Sequence, residues 1–177
     1  MIDRVDLAAL LAAHDPADPE ESADLGRMLT WVGTLDDPCS REQGEAHFTA
    51  SAIVVDESRE RTLLVHHRKS GAWFQPGGHI EPDDRTPSEA ALREAREETG
   101  LEVRLGSPML LDVDIHWVPW DSHHHLDLRY LVVAAGELAP DTAEVHAAEW
   151  VDWNAAFDRI SEPALRRALG KARRASP

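Results

Sequence analysis

The sequence predicts an α/β protein: a mixed sheet sandwiched between helices, preceded by an N-terminal helical extension. Three observations predict it. Between His47 and Ala135 lie apolar runs rich in β-branched residues, separated by charged turns, which is how paired strands read. One capped helix, Pro87 to Thr99, interrupts those runs, and a helix set among strands implies a sheet covered by helices. Residues 1–46, by contrast, carry helical spacing and no strand pattern.

Taken in order, residues 2–14 form an Ala- and Leu-rich helix that ends at Asp15-Pro16-Ala17-Asp18-Pro19. A second helix starts with Asp18 as N-cap, Pro19 at the first position and Glu21 closing a capping box. Leu25, Met28, Leu29 and Val32 form its inward stripe, and Asp36-Asp37-Pro38-Cys39-Ser40 breaks it. These 46 residues read as an extension of a domain spanning 47–177. It packs on that domain or contributes to a homodimer interface, with a substrate lid as the lesser use.

Strands are expected at His47–Asp56 and Thr62–Lys69, with Trp73-Phe74-Gln75-Pro76 leading into the glycines Gly77-Gly78. After the capped helix come a short strand, Glu102–Leu105, and two longer ones, Met109–Val118 and His125–Ala135. Trp150-Val151-Asp152-Trp153 makes a last strand or its end, and Ser161 caps a final helix from Pro163 to about Arg174, with its basic residues as a solvated face.

Composition narrows the function. The net charge of −15 argues against non-specific binding to nucleic acid or an anionic membrane. It also means that an anionic substrate needs cations nearby. Cys39 stands alone, so no internal disulfide can form, and the N-terminus lacks the pattern of a signal peptide. No apolar run approaches the ~20 residues that span a bilayer. The expectation is a soluble, cytoplasmic protein.

The capped helix carries the chemistry. Thr86 is its N-cap, Pro87 its first residue, Glu89 completes a capping box, and Gly100 supplies a left-handed stop. At about 100° per residue, Glu94, Glu97 and Glu98 share one face. They repel one another at i,i+3 and i,i+4 spacing and sit at the wrong end of the helix dipole for anions. A hard divalent cation would relieve that repulsion, and oxygen-only ligands favour magnesium, with manganese as the alternative. A solvated acidic face, with Glu89–Arg93 and Arg93–Glu97 pairs, explains the same residues equally well.

The stretch from Gly78 to Leu101 resembles the Nudix box, G-x5-E-x7-R-E-U-x-E-E-x-G-U, where U is aliphatic. Arg93-Glu94-Ala95-Arg96-Glu97-Glu98-Thr99-Gly100-Leu101 fits its second half. The first half departs from it: Asp84 stands where the pattern has Glu, and Arg85 is one residue extra. The resemblance implies the Nudix α/β/α sandwich over roughly residues 47–170. It also implies magnesium-dependent hydrolysis of a nucleoside diphosphate linked to another moiety X. Carried over by position, Gly78, Glu94, Glu97 and Glu98 hold the metal, and Glu94 or Glu98, or an acid outside the box, activates water. Arg93 orients the carboxylates, with Asp84 as its partner.

Outside the box, Arg68 is placed at a strand end to meet the diphosphate, with His66 on its strand face and a solvated strand end as the alternative. Asp112, Asp114 and His116 alternate on one strand, as do His125, Asp127 and Arg129 on the next. If the strands pair, both rows line one surface. It is either a substrate-facing surface using His116, His125 and Asp127, or a solvated sheet face. His116, His123 and His125 have the ligand types for zinc, but their spacing fits no closed tetrahedral pattern. Trp73, Trp117 and Trp120 could offer a base-stacking platform, with core packing as the alternative. The resemblance further implies an extra acidic ligand or base before the last strand, at the substrate, for which Glu144 is preferred over Glu149.

Two other activities compete with a pyrophosphohydrolase. Isopentenyl diphosphate isomerase resembles the same box but needs a cysteine beside it, and Cys39 precedes the sheet. A ligand-sensing module of the same fold tends to lose box carboxylates, whereas all three are present.

Overall fold

Residues 2–175 are described in a computed structural model, apart from Gln43, Trp120, Asp121, Asp141, Thr142 and Glu144. Helices α1 (Arg4–Ala12) and α2 (Pro19–Thr34) come first, then strands β1 (Ala46–Asp56), β2 (Arg61–His67), β3 (Trp73–Phe74) and β4 (Gly77–His79). Helix α3 (Pro87–Thr99) leads to β5 (Glu102–Val118), β6 (His123–Ala135) and β7 (Val145–Asp152), followed by α4 (Trp153–Arg159) and α5 (Pro163–Arg174).

The strands form one seven-stranded sheet with the path β3-β2-β1-β6-β5, β4 pairing with β1 and β7 with β2. Only β1 and β6 are parallel among these pairs, so the sheet is mixed as expected. Alternation along β1 sends side chains to two buried faces. Phe48, Ala50, Ala52 and Val54 join Leu126, Leu128 and Val132 of β6 and Ala90, Ala91 and Ala95 of α3. Ile53 and Val55 join Leu131 and Val133, covered by Leu165, Ala168, Leu169 and Ala172 of α5. The result is a sheet between helical layers.

The N-terminal helices share the first of these cores through Leu7, Leu11, Met28 and Val32. They also finish the sheet. β5 ends the strand path, and α2 lies along it: Glu21 accepts from Val113 N at 3.2 Å and Asp24 from Ile115 N at 3.2 Å. Two edge N–H groups that would invite another strand are thereby occupied by carboxylates. No described helix is long and apolar enough to cross a membrane.

Several elements differ from expectation. The two segments expected around residues 106–108 are one strand, β5, whose register with β6 shifts between Leu105 and Leu110. Gly106-Ser107-Pro108 reads as a break, yet a long strand absorbs it as an irregularity. Trp150-Val151-Asp152 is the end of β7, one of the two expected readings, whereas Trp153 opens α4, a helix with no counterpart in the expected elements. Leu29 is exposed rather than inward. Asp18 caps α2 by accepting from Glu21 N at 2.8 Å, but the Glu21 carboxylate is buried on Ala17 N, His14 and Lys171 rather than closing a capping box. Glu162, not Ser161, caps α5, because its carboxylate reaches Ala164 N and Leu165 N.

Candidate active site

Pairing of β4 with β1 sets the site's geometry, with Ser51 opposite Gly77, Ala50 opposite Gly78 and Thr49 opposite His79. Neither glycine can be anything larger without movement. A Cβ on Gly77 would lie 2.3 Å from Ser51 Cβ, and one on Gly78 would lie 2.7 Å from the Glu94 carboxyl carbon. The helix is aimed at this turn, with Gly77 N donating to Glu98 Oε2 at 3.0 Å. Thr86 accepts from Glu89 N at 3.1 Å, and Gly100 closes the helix at φ 72°. Glu89 misses the full capping box, its carboxylate taking Arg85 N instead.

Glu94 and Glu98 are buried, at 8% and 3% exposure, while Glu97 stays open to solvent. A purely solvated acidic face would expose all three. Two carboxylates held inside a protein need partners, and Arg93 supplies part of that partnership. Its guanidinium donates to Glu94 Oε1 at 2.9 Å, Glu97 Oε2 at 3.0 Å, Asp84 Oδ2 at 3.0 Å and the His79 carbonyl at 2.8 Å. Burial works against its charge, but the bonds to Asp84 and Glu94 hold it protonated well above its ordinary range. Asp84 is itself buried and accepts from Glu81 N at 2.8 Å. The one-residue insertion is thus absorbed in the loop without losing the Asp84–Arg93 contact.

The paired rows on β5 and β6 do meet: Asp112 faces Arg129, Asp114 faces Asp127 and His116 faces His125. They are not a solvated face. Arg129 is 2% exposed and donates to Asp127 at 3.0 Å, Asp112 at 3.2 Å and Asp114 at 2.8 Å. Asp127 also accepts from Thr49 at 3.2 Å and Ser51 at 2.8 Å. Burial acts to raise the Asp114 carboxyl, but the His116 hydrogen bond and the Arg129 charge bring it down to about 2. Asp112 goes the other way, because burial outweighs its cationic neighbours. The basic face of α5 is drawn into the same network, since Arg167 binds Asp112 at 2.8 Å and Lys171 binds Glu21 at 2.5 Å. The expectation of a solvated helix face fails at these two residues.

Arg68 lies exposed in the turn after β2, and His66 rests against Trp73 and the Gly71 carbonyl. His116 is half-exposed with Nδ1 2.8 Å from Asp114. His125 is held neutral, its titration lowered to about 2 by burial and by neighbouring histidines. Trp73 and Trp117 belong to strands at opposite ends of the sheet path, so they form no shared platform. Glu144 and Trp120 lie outside the described residues. Glu149 lies within β7, paired with Arg159 at 2.7 Å.

A family model described as the NUDIX domain matches residues 46–171. The chain belongs to the Nudix family. Among curated relatives, an m7GpppN-mRNA hydrolase, NUDT17, of Xenopus laevis is 33% identical over 129 residues, covering 62% of this chain and 43% of that protein. An 8-oxo-dGTP diphosphatase of Proteus vulgaris is 33% identical over 87 residues, covering 48% of this chain and 72% of that one. The chain spans about two fifths of the length of the NUDT17 proteins it matches. A Nudix-family hydrolase from Clostridium perfringens has a TM-score of 0.61 at 27% identity, covering 71% of this chain and 95% of that one.

Nudix membership gives the acidic helix its setting, and the structure bears on whether a cation suits it. The carboxylates of Glu94, Glu97 and Glu98 and the Gly78 carbonyl are all hard oxygen donors, the type magnesium takes. The Gly78–Glu94 cradle, which a Cβ would fill, leaves the backbone close to that set. In chemical type these donors suit the ion. Sequence reasoning missed a different group, His47 and His79, which join His123 and His125 in one cluster. They are far apart in sequence, and the pairing of β1 with both β6 and β4 unites them.

Proposed function

We propose that this Nudix protein is a magnesium-dependent hydrolase. It cleaves the phosphoanhydride of a nucleoside diphosphate linked to a further group. The observation that carries this reading is the burial of Glu94 and Glu98 against the Gly77-Gly78 turn under the Arg93 clamp. Gly78, Glu94, Glu97 and Glu98 would hold the cation. Bound there, magnesium supplies charge neutralisation at phosphoryl oxygens and lowers the pKa of water.

The chain's own groups do the rest. Arg93 fixes the rotamers of Glu94 and Glu97, and its contact with Asp84 fixes Arg93 in turn. Gly77 N–H fixes one oxygen of Glu98. Glu94 or Glu98 accepts the proton of the attacking water at a carboxylate oxygen. Arg68 meets the diphosphate, and His116, half-exposed on β5, meets the remainder of the substrate. Asp127 acts one step back, by holding Arg129, Thr49 and Ser51. The compartment that suits the lone thiol of Cys39, which burial pushes up to about 12, is a reducing cytosol.

The relatives' names support nucleotide substrates, namely capped RNA for one and an oxidised nucleotide for the other. The test is a screen of cap analogues, 8-oxo-dGTP, nucleotide sugars, dinucleoside polyphosphates and ADP-ribose, with and without magnesium. Product analysis in oxygen-18 water then shows which phosphorus is attacked. Cleavage of none of these classes with magnesium present would refute the proposal.

A further inference from the structure

We propose that His47, His79, His123 and His125 form a binding site for a transition-metal cation, zinc fitting best, separate from the carboxylates of the acidic helix. The sheet assembles it. His47 on β1 lies opposite His125 in the parallel β1–β6 pair, and His79 on β4 lies opposite Thr49, two residues along from His47. His123 precedes His125 by two on β6, so period-two alternation puts all four side chains on one face. One ligand nitrogen from each lies within 4.8 Å of the other three. Ring centroids are 4.4 Å apart for His47–His123, 4.9 Å for His47–His125, 5.2 Å for His123–His125 and 5.2 Å for His79–His125.

A second observation points to a ligand. His123 Nε2 and His125 Nε2 are buried and have no hydrogen-bond partner among the described residues. A buried ring nitrogen without a partner is costly, and a single cation at the centre of the cluster would satisfy both. An anion is the poorer occupant, because neutral imidazoles offer it no balancing charge, and protonating several adjacent rings would set like charges against one another. Neutral imidazoles suit zinc, copper, iron or nickel rather than magnesium, and four of them match zinc's tetrahedral habit. Zinc–nitrogen bonds of about 2.0 Å would place the nitrogens roughly 3.3 Å apart, so the rings close inward from the 4.8 Å limit on binding. His116, 5.5 Å from His125, stays outside because its Nδ1 is engaged by Asp114.

The site ties together β1, β4 and β6 beside the glycine turn. His79 follows Gly78 directly, and its carbonyl accepts from Arg93. A cation held here pins the strand that presents Gly78 to the acidic helix.

The test uses the full chain without a histidine tag, dialysed against chelating resin. Zinc is titrated in competition with a chromogenic chelator, and cobalt(II) is added to read coordination from its visible absorption. The expected result is one zinc per chain and the strong visible bands of four-coordinate cobalt. A His123→Gln/His125→Gln variant should bind zinc at least ~100-fold more weakly, since loss of ligands exceeds the effect of losing their supporting contacts. A Glu97→Gln/Glu98→Gln variant should keep the zinc. Absence of stoichiometric zinc and of four-coordinate cobalt in the unmodified chain overturns the proposal even if the histidine variant fails to fold. So does zinc that follows the glutamates rather than the histidines.

Discussion

Replacing Glu98 separates chemistry from folding, and replacing Arg93 does not. In Glu98→Gln the new amide oxygen can still accept the Gly77 N–H, so the turn and helix stay joined. What is lost is the anionic charge, and kcat should fall by ~10²–10⁴ with an unchanged melting temperature. Arg93→Ala differs, because it strips a cation from Asp84 and Glu94, both buried. Stability should drop by about 3 kcal/mol in denaturant titration, and activity with it. Most of this constellation is legible in the sequence, since one helix and one loop hold it and local spacing fixes which side chains share a face. Asp84 is the instructive case: residue counting finds it, while the contact with Arg93 depends on how the loop closes.

At the scale of elements, the junction between β4 and α3 rests on two glycines with different neighbours. A Cβ at Gly78 meets the carboxylate end of Glu94, which can swing away. Gly78→Ala should therefore keep nearly all stability yet lower kcat by about 100-fold, the usual result of misplacing a group by an ångström. A Cβ at Gly77 meets Ser51 Cα at 2.7 Å, which is backbone. Gly77→Ala should destabilise by roughly 2 kcal/mol, as a thermal melt would show. β5 and α2 illustrate what local reading leaves out. The Glu21 carboxylate is drawn from its own helix cap to the edge of β5 and to Lys171, 150 residues away in sequence. Arg167 likewise leaves the solvent for Asp112. Both follow from sheet order, and helix periodicity carries no information about which strand a helix will lie beside.

For the whole molecule, buried ion pairs between layers make stability depend on pH. Burial alone would raise the Glu21 carboxyl, but hydrogen bonds from His14, Lys171 and Ala17 N hold it below its ordinary value of 4.5. Its folded pKa is depressed, so its contribution is present above that value and is lost as pH falls through the folded one. Asp114, lowered from 3.8 to about 2, acts in the same direction, whereas Asp112, raised by burial, opposes them. The melting temperature should fall on acidification from pH 4.5 towards 2, and less steeply in Glu21→Gln, which removes the largest of these shifts. The α/β/α architecture was legible because hydrophobic alternation reports faces. The histidine cluster was not, because it exists only once β1 pairs with both β6 and β4. If the acidic helix holds a catalytic cation, hydrolysis of the nucleotide panel depends on both the ion and Glu98. Wild type and Glu98→Gln would be assayed with magnesium and after chelation. The expected result is turnover by the wild type with magnesium, none after chelation, and little in a fully folded Glu98→Gln. Turnover that survives chelation, or a variant as active as the wild type, would contradict it.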